Sequence, residues 1–192
     1  AVALDKLKAM NAAQIEQFNQ IKTHSHSLLT KHDQPAALSY LYSQETQSAL
    51  KIENINNSKN QRFYQALKSA GNGDFTKKQL FKIKNQIIDN KNKSSKYAQQ
   101  FRDHNVYISE QYRGDSINNN IKYIAPQSKD LASLMTGLFN CHEKIMLDNT
   151  LAEVIHAAII SFGFLYIHPF SDGNARLHRY LIHDVLKQRF AD

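Results

Sequence analysis

A run near the end of the chain, His168-Pro169-Phe170-Ser171-Asp172-Gly173-Asn174-Ala175-Arg176-Leu177-His178-Arg179, holds a base, a carboxylate, a Gly-Asn turn and two guanidiniums. Pro169 and Gly173-Asn174 force a tight loop, and a helix begins near Asn174 and continues through Leu186. The first-turn amides of such a helix have no partner within it and carry the positive end of its dipole, a ready site for phosphate. Arg176 and Arg179 stand three apart and share one helix face. Two guanidinium forks beside open amides suit a polyphosphate better than a lone carboxylate. Asp172 can supply an oxygen to Mg2+, which takes one or two carboxylates plus phosphate oxygens. His168, at the start of the loop, offers a proton acceptor near neutral pH. Singly, each residue has a plainer reading as turn, cap or surface pair. At this spacing together they point to phosphoryl or nucleotidyl transfer.

The elements that must hold this loop are mostly helices. An apolar stretch from Thr150 to Tyr166, capped by Asn149 or Thr150, reads as a buried helix leading into it. Val106-Tyr107-Ile108 and Ile121-Lys122-Tyr123-Ile124 flank a Gly/Asp/Asn-rich connection and read as a β-hairpin ended by Pro126. Ser128 is placed to cap a helix running to about His142. Upstream, Leu4, Leu7, Ile15 and Phe18 recur at helical steps. A second helix is expected from about Pro35 to Ile52, with Leu38, Leu41, Ser48 and Ile52 on one face. Arg62 to Ala70 forms a short helix stopped by Gly71-Asn72-Gly73, and Thr76 caps another carrying Leu80, Ile83, Ile87 and Ile88. The fold class is all-α with one small hairpin. An N-terminal helical region, residues 1–99, precedes a core of residues 100–192.

The 192 residues, 42% hydrophobic and 21% charged, suit a soluble globular chain with a real core. The single cysteine, Cys141, rules out an internal disulfide and leans towards a reducing compartment. The first residues, Ala1 to Asp5, show neither a basic leader nor an apolar run, so a cytoplasmic location is expected. No stretch reaches the roughly 20 apolar residues of a membrane span. The formal charge is +7, with Lys77, Lys78, Lys82, Lys84, Lys91, Lys93 and Lys96 in one segment. Without interleaved Arg or aromatic residues, this segment reads as a solvated lysine face, and nucleic acid is disfavoured as a partner. His24, His26, His32 and Cys141-His142 lack metal-site spacing, so no structural zinc is expected. His178 and His183 are expected to face solvent or a helix partner.

The run from His168 to Arg179 resembles the signature of the Fic family (filamentation induced by cAMP), HPFx(D/E)GN(G/K)RxxR. It departs only at Ala175, where the family has Gly or Lys. Fic domains place a β-hairpin flap before the motif, and the hairpin Val106 to Ile124 is similar in position and type. The apolar helix from Thr150 matches the family's central helix, so the resemblance runs from about residue 100 to the end. Family members commonly carry another helix or more beyond this point.

The resemblance implies a protein adenylyltransferase that moves AMP from ATP onto a Ser, Thr or Tyr hydroxyl of a target protein or of the chain itself. His168 would be the base, Asp172 the Mg2+ ligand, and Gly173, Asn174 and the Ala175 amide the anion hole. Arg176 would neutralise the departing phosphates, and Arg179 would grip the γ-phosphate. Lys122, Tyr123 and Ile124 would dock the target along the flap. Phe170 is expected to pack into the core. Many Fic proteins also carry an inhibitory helix of pattern (S/T)xxxE(G/N). Ser48 to Asn54, within a helix of about 35–54, resembles it with Ala49 at the hydroxyl position, so Glu53 would pair with Arg179. Removal of AMP, a different nucleotide donor and a non-catalytic partner-binding module remain the alternatives. A homo-oligomer stays open.

Overall fold

In the computed structural model, residues 16, 20, 34–53, 60–88, 100–110, 120–148 and 150–190 are described. Among the described residues these elements follow one another: α1 (Gln34–Glu53), α2 (Asn60–Lys68), α3 (Lys77–Ile87), β1 (Tyr107–Glu110), β2 (Asn120–Ile124), α4 (Leu131–Met146), α5 (Glu153–Ile167) and α6 (Asn174–Phe190). The all-α architecture with a single two-stranded sheet is the expected one. The predicted N-terminal helix from Leu4 falls outside the described residues, apart from Glu16 and Gln20, which are helical and exposed.

α1 begins beside Pro35, which fits a first helical turn because its missing N–H is not needed there. Its inward face differs from the expected one. Tyr42, Thr46 and Ala49 are buried at helical spacing, whereas Leu38 and Leu41 are 46% and 56% exposed and Ser48 also faces out. Apolar residues lie all around this helix, so their type does not select the face. The face is set by contact with α2 instead. The side chain of Ile52 lies outside the described residues. Thr46 Oγ1 donates to the Tyr42 carbonyl, so the buried hydroxyl is satisfied within the helix.

α2 is followed by a turn that closes at Gly71, whose φ of +83° is the left-handed stop that the Gly-Asn-Gly run implies. Thr76 caps α3 by accepting from the Gln79 amide at 3.3 Å. Leu80, Ile83 and Ile87 point inward as expected. Lys84 does not join the solvated lysine face: it is buried, with Nζ 4.7 Å from the Phe170 ring centre. The hairpin pairs antiparallel, Tyr107 opposite Ile124 and Ile108 opposite Tyr123, with an irregularity after Ile108.

Two helix starts differ from expectation. Ser128 opens a single 3-10 turn before α4 rather than capping a helix, and its amide donates to Asn105 Oδ1. α4 also runs to Met146, one turn beyond His142. Thr150 forms a turn on Asp148 Oδ1, and α5 starts three residues later, after Ala152. α5 and α6 form the most extensive helix pair, and the core of Phe63, Leu67, Met135, Ile160, Phe164, Leu177 and Leu181 runs between them and α2 to α4. One core therefore spans helices from both sides of the predicted boundary at residue 99. At the far end of α6, Asp184 accepts from the Gly71 amide at 2.7 Å and from the Tyr180 hydroxyl at 2.9 Å, pinning the α2 stop to the last helix.

Candidate active site

α5 ends on His168, the one described non-glycine residue with positive φ (50°, ψ 57°). Left-handed backbone is unfavourable for a residue with a Cβ, so other contacts must hold it. The His168 amide donates to the Phe164 carbonyl at 3.0 Å, closing the helix. Its carbonyl accepts from Arg102 Nε at 2.8 Å, and the Pro169 carbonyl accepts from the Arg102 amide at 2.9 Å. Burial lowers the pKa of the His168 ring. The nearby Leu165 carbonyl opposes that shift and the Arg102 charge adds to it. The Leu165 carbonyl influences the ring although Nδ1 makes no hydrogen bond of ordinary geometry.

Asn174 shapes the rest of the loop. Its Oδ1 accepts from the Phe170 amide at 3.0 Å and its Nδ2 donates to the Phe170 carbonyl at 2.6 Å, a two-point clamp that closes residues 170–174. With that side chain committed, only its backbone amide is placed for an anion at the start of α6. Phe170 is 1% exposed and packs edge-on against Phe81, as its core reading requires. Gly173 turns into α6 at φ +83°, and a Cβ there would lie 2.2 Å from Ile88 Cδ1. Conformation and space both demand glycine. Ala175 sits in the first turn of α6 without positive φ, so replacing Gly or Lys by Ala adds no strain.

The two arginines diverge. Arg176 is 1% exposed and turns under the loop, with Nη2 3.3 Å from Asp172 Oδ1 and Nη1 3.4 Å from the Ile87 carbonyl. Asp172 itself is two-thirds exposed. Arg179 is half-buried, and its Nη1 lies 3.3 Å from Glu45 Oε1 on α1. Glu53, the residue expected there, closes α1, but its side chain lies outside the described residues. Glu45 shares helical spacing with Leu38, Leu41 and Ser48, but no local signal joins it to Arg179, 134 positions away.

The hairpin is moored to the same end of α5. The Tyr123 hydroxyl donates to the Tyr166 carbonyl, and the two rings meet edge to face at 4.9 Å. Lys122 and Ile124, on the other side of β2, are exposed. A cavity of about 120 Å³ opens beside the loop, lined by Lys84, Ile88, Phe101, Arg102, Ser171 and Asp172 among others. Burial lowers the Lys84 pKa, opposed by the Asp172 carboxylate. Sequence reading missed Lys84 and Arg102 in this setting, since both reach the loop from distant segments. His178 Nδ1 lies 2.9 Å from the Ser161 carbonyl, and His183 stacks edge-on against Tyr42, so both face helix partners. Among the described residues, no helix is long and apolar enough to cross a membrane.

The Fic/DOC family model matches residues 74–186, more than half of the chain. Two solved structures share the fold. A Fic family protein from Desulfovibrio desulfuricans G20 aligns with TM-score 0.60 at 16% identity, over 94% of this chain and 57% of that one. A Fic domain containing signaling protein from Bacteroides thetaiotaomicron VPI-5482 aligns with TM-score 0.63 at 16% identity, over 88% of this chain and 72% of that one. The chain thus spans little more than half the length of the Desulfovibrio protein. No curated relative was found by sequence comparison. With the motif kept from His168 to Arg179 at every position but Ala175, and its loop closed by Asn174, the chain belongs to the Fic/DOC family.

Proposed function

We propose that this chain is a protein adenylyltransferase, moving AMP from ATP to a target hydroxyl. The observation that carries the reading is the loop between α5 and α6. Within seven residues it joins a half-buried imidazole, an exposed carboxylate and the amide end of a helix, held by the Asn174 clamp. A depressed pKa keeps His168 neutral at pH 7, as a proton acceptor must be. It takes the proton from the target hydroxyl as that oxygen bonds to the α-phosphorus, and the bond to the bridging oxygen breaks to release pyrophosphate. The first-turn amides of α6, beginning with Asn174 and Ala175, stabilise the charge that builds on the phosphate oxygens. Arg179 holds the γ-phosphate once it leaves Glu45. Arg176 adds positive charge beneath the loop and orients Asp172.

A Mg2+ ion fits Asp172. This is one exposed carboxylate, positioned through Oδ1 by Arg176, beside a helix end suited to phosphate, and Mg2+ completes its shell from phosphate oxygens and water. When bound, the ion neutralises the phosphates across the bond that breaks. The target aligns along the hairpin by adding a strand, with Lys122 and Ile124 as its exposed contacts and Tyr123 as the mooring. α1 restrains the reaction by engaging Arg179, through Glu45 in this structure and through Glu53 by the family pattern.

The reading is tested with ATP labelled at the α- or γ-phosphate, in the full chain and its Glu45→Gln and Glu53→Gly variants. Protein-bound label from the α- but not the γ-position supports AMP transfer. Label from the γ-position, or none despite bound ATP, overturns it.

A further inference from the structure

Arg102 lies just before the hairpin and is only 3% exposed, yet its guanidinium reaches three separate main-chain segments. Nε donates to the His168 carbonyl at 2.8 Å, Nη1 to the His104 carbonyl at 2.6 Å and Nη2 to the Pro126 carbonyl at 2.6 Å. Its own amide donates to the Pro169 carbonyl at 2.9 Å. Pro126 follows the end of β2, His104 precedes the start of β1, and His168-Pro169 opens the motif loop. One planar, always charged group therefore sits where both roots of the hairpin meet the left-handed turn that carries the imidazole.

We propose that Arg102 is a positioning residue that locks the roots of the hairpin to the backbone of His168, so that the target-presenting strand and the base keep a fixed separation. The inference rests on the transfer reading above. Its physical basis is rigidity. Proton abstraction and attack need the reacting atoms aligned to within a fraction of an ångström. The Tyr123–Tyr166 contact ties β2 itself to the end of α5, apart from the roots that Arg102 holds. The left-handed His168 is unfavourable without outside support, and the charge-assisted bond from Nε supplies it. A neutral side chain would leave three carbonyls without this donor fork. Lysine would keep the charge but offers a single nitrogen and no planar fork.

The test uses the full chain with Arg102→Met and Arg102→Lys, followed by amide hydrogen exchange. The probes are Ala125, whose amide donates to the Val106 carbonyl at the hairpin root, and Phe170, whose amide donates to Asn174 in the loop. Both should exchange roughly 10- to 100-fold faster in Arg102→Met, the loss expected for charge-assisted hydrogen bonds, with a smaller rise in Arg102→Lys. Amides inside α5 and α6 should keep their rates. Transfer should lose kcat with KM for ATP held. Faster exchange on one side only, on neither side, or throughout α5 and α6 overturns the coupling. Should Arg102→Met fail to fold, Arg102→Lys carries the same comparison. Absence of protein-bound α-label in the full chain and in Glu45→Gln, with ATP bound, would remove the transfer reading yet leave the exchange result to stand or fall by itself.

Discussion

Arg179 Nη1 stands 3.3 Å from Glu45 Oε1, so the outer arginine of the motif is held by a carboxylate from the first described helix. A guanidinium so engaged is less available to phosphate, and releasing it should favour ATP. Both partners are partly solvated, which limits the pair to roughly 0.5–1 kcal/mol. Glu45→Gln should therefore tighten ATP binding about 2- to 5-fold, measured by calorimetry, and raise transfer in step. Unchanged affinity in Glu45→Gln together with a gain in Glu53→Gly would move the brake to the end of α1.

Gly173 meets two demands at once, a φ of +83° and the side chain of Ile88 where a Cβ would stand. Gly173→Ala should destabilise the chain by about 1–3 kcal/mol and abolish ATP binding. Ile88→Ala in the same chain relieves the collision but not the backbone, so thermal stability should recover only in part. Full recovery of ATP binding would show that space alone matters.

Acid should unfold this chain through its buried histidines. His156 is fully buried on α5 beside His142 of α4 and Arg189 of α6, and burial, His142 and Arg189 together lower its pKa to about 3. His142 is also lowered by burial, opposed by Gln188, Glu143 and Asp74. A histidine whose folded pKa lies below its unfolded value contributes full stability above about pH 6.5 and loses it as pH falls towards 3. From pH 6.5 to pH 5 the loss for His156 alone is about 2 kcal/mol. Urea titrations across this range should show the decline, and His156→Leu should flatten it. A slope unchanged by His156→Leu would contradict the assignment.

The motif loop was legible in sequence because its chemistry is local: Asn174, Gly173 and Phe170 act on one another within five positions. Short punctuation was legible too. Thr76 caps α3, and Gly71 stops the turn after α2. What escaped was set by packing between distant segments. α1 is apolar on several faces, so only its contact with α2 selects Tyr42, Thr46 and Ala49 as the inward side. Lys84 reads as one more surface lysine until Phe170 lies beneath it, and nothing adjacent to Arg102 announces carbonyls from residues 126 and 168.

The central claim is that His168 takes the proton in AMP transfer. The most direct measurement is the single-turnover rate of α-labelled transfer by Glu45→Gln, with and without His168→Ala, alongside ATP affinity for each. His168→Ala should lower the rate about 10²- to 10⁴-fold, the span of general-base catalysis, while ATP affinity holds within about twofold. A rate that survives His168→Ala, with ATP bound as before, would contradict it.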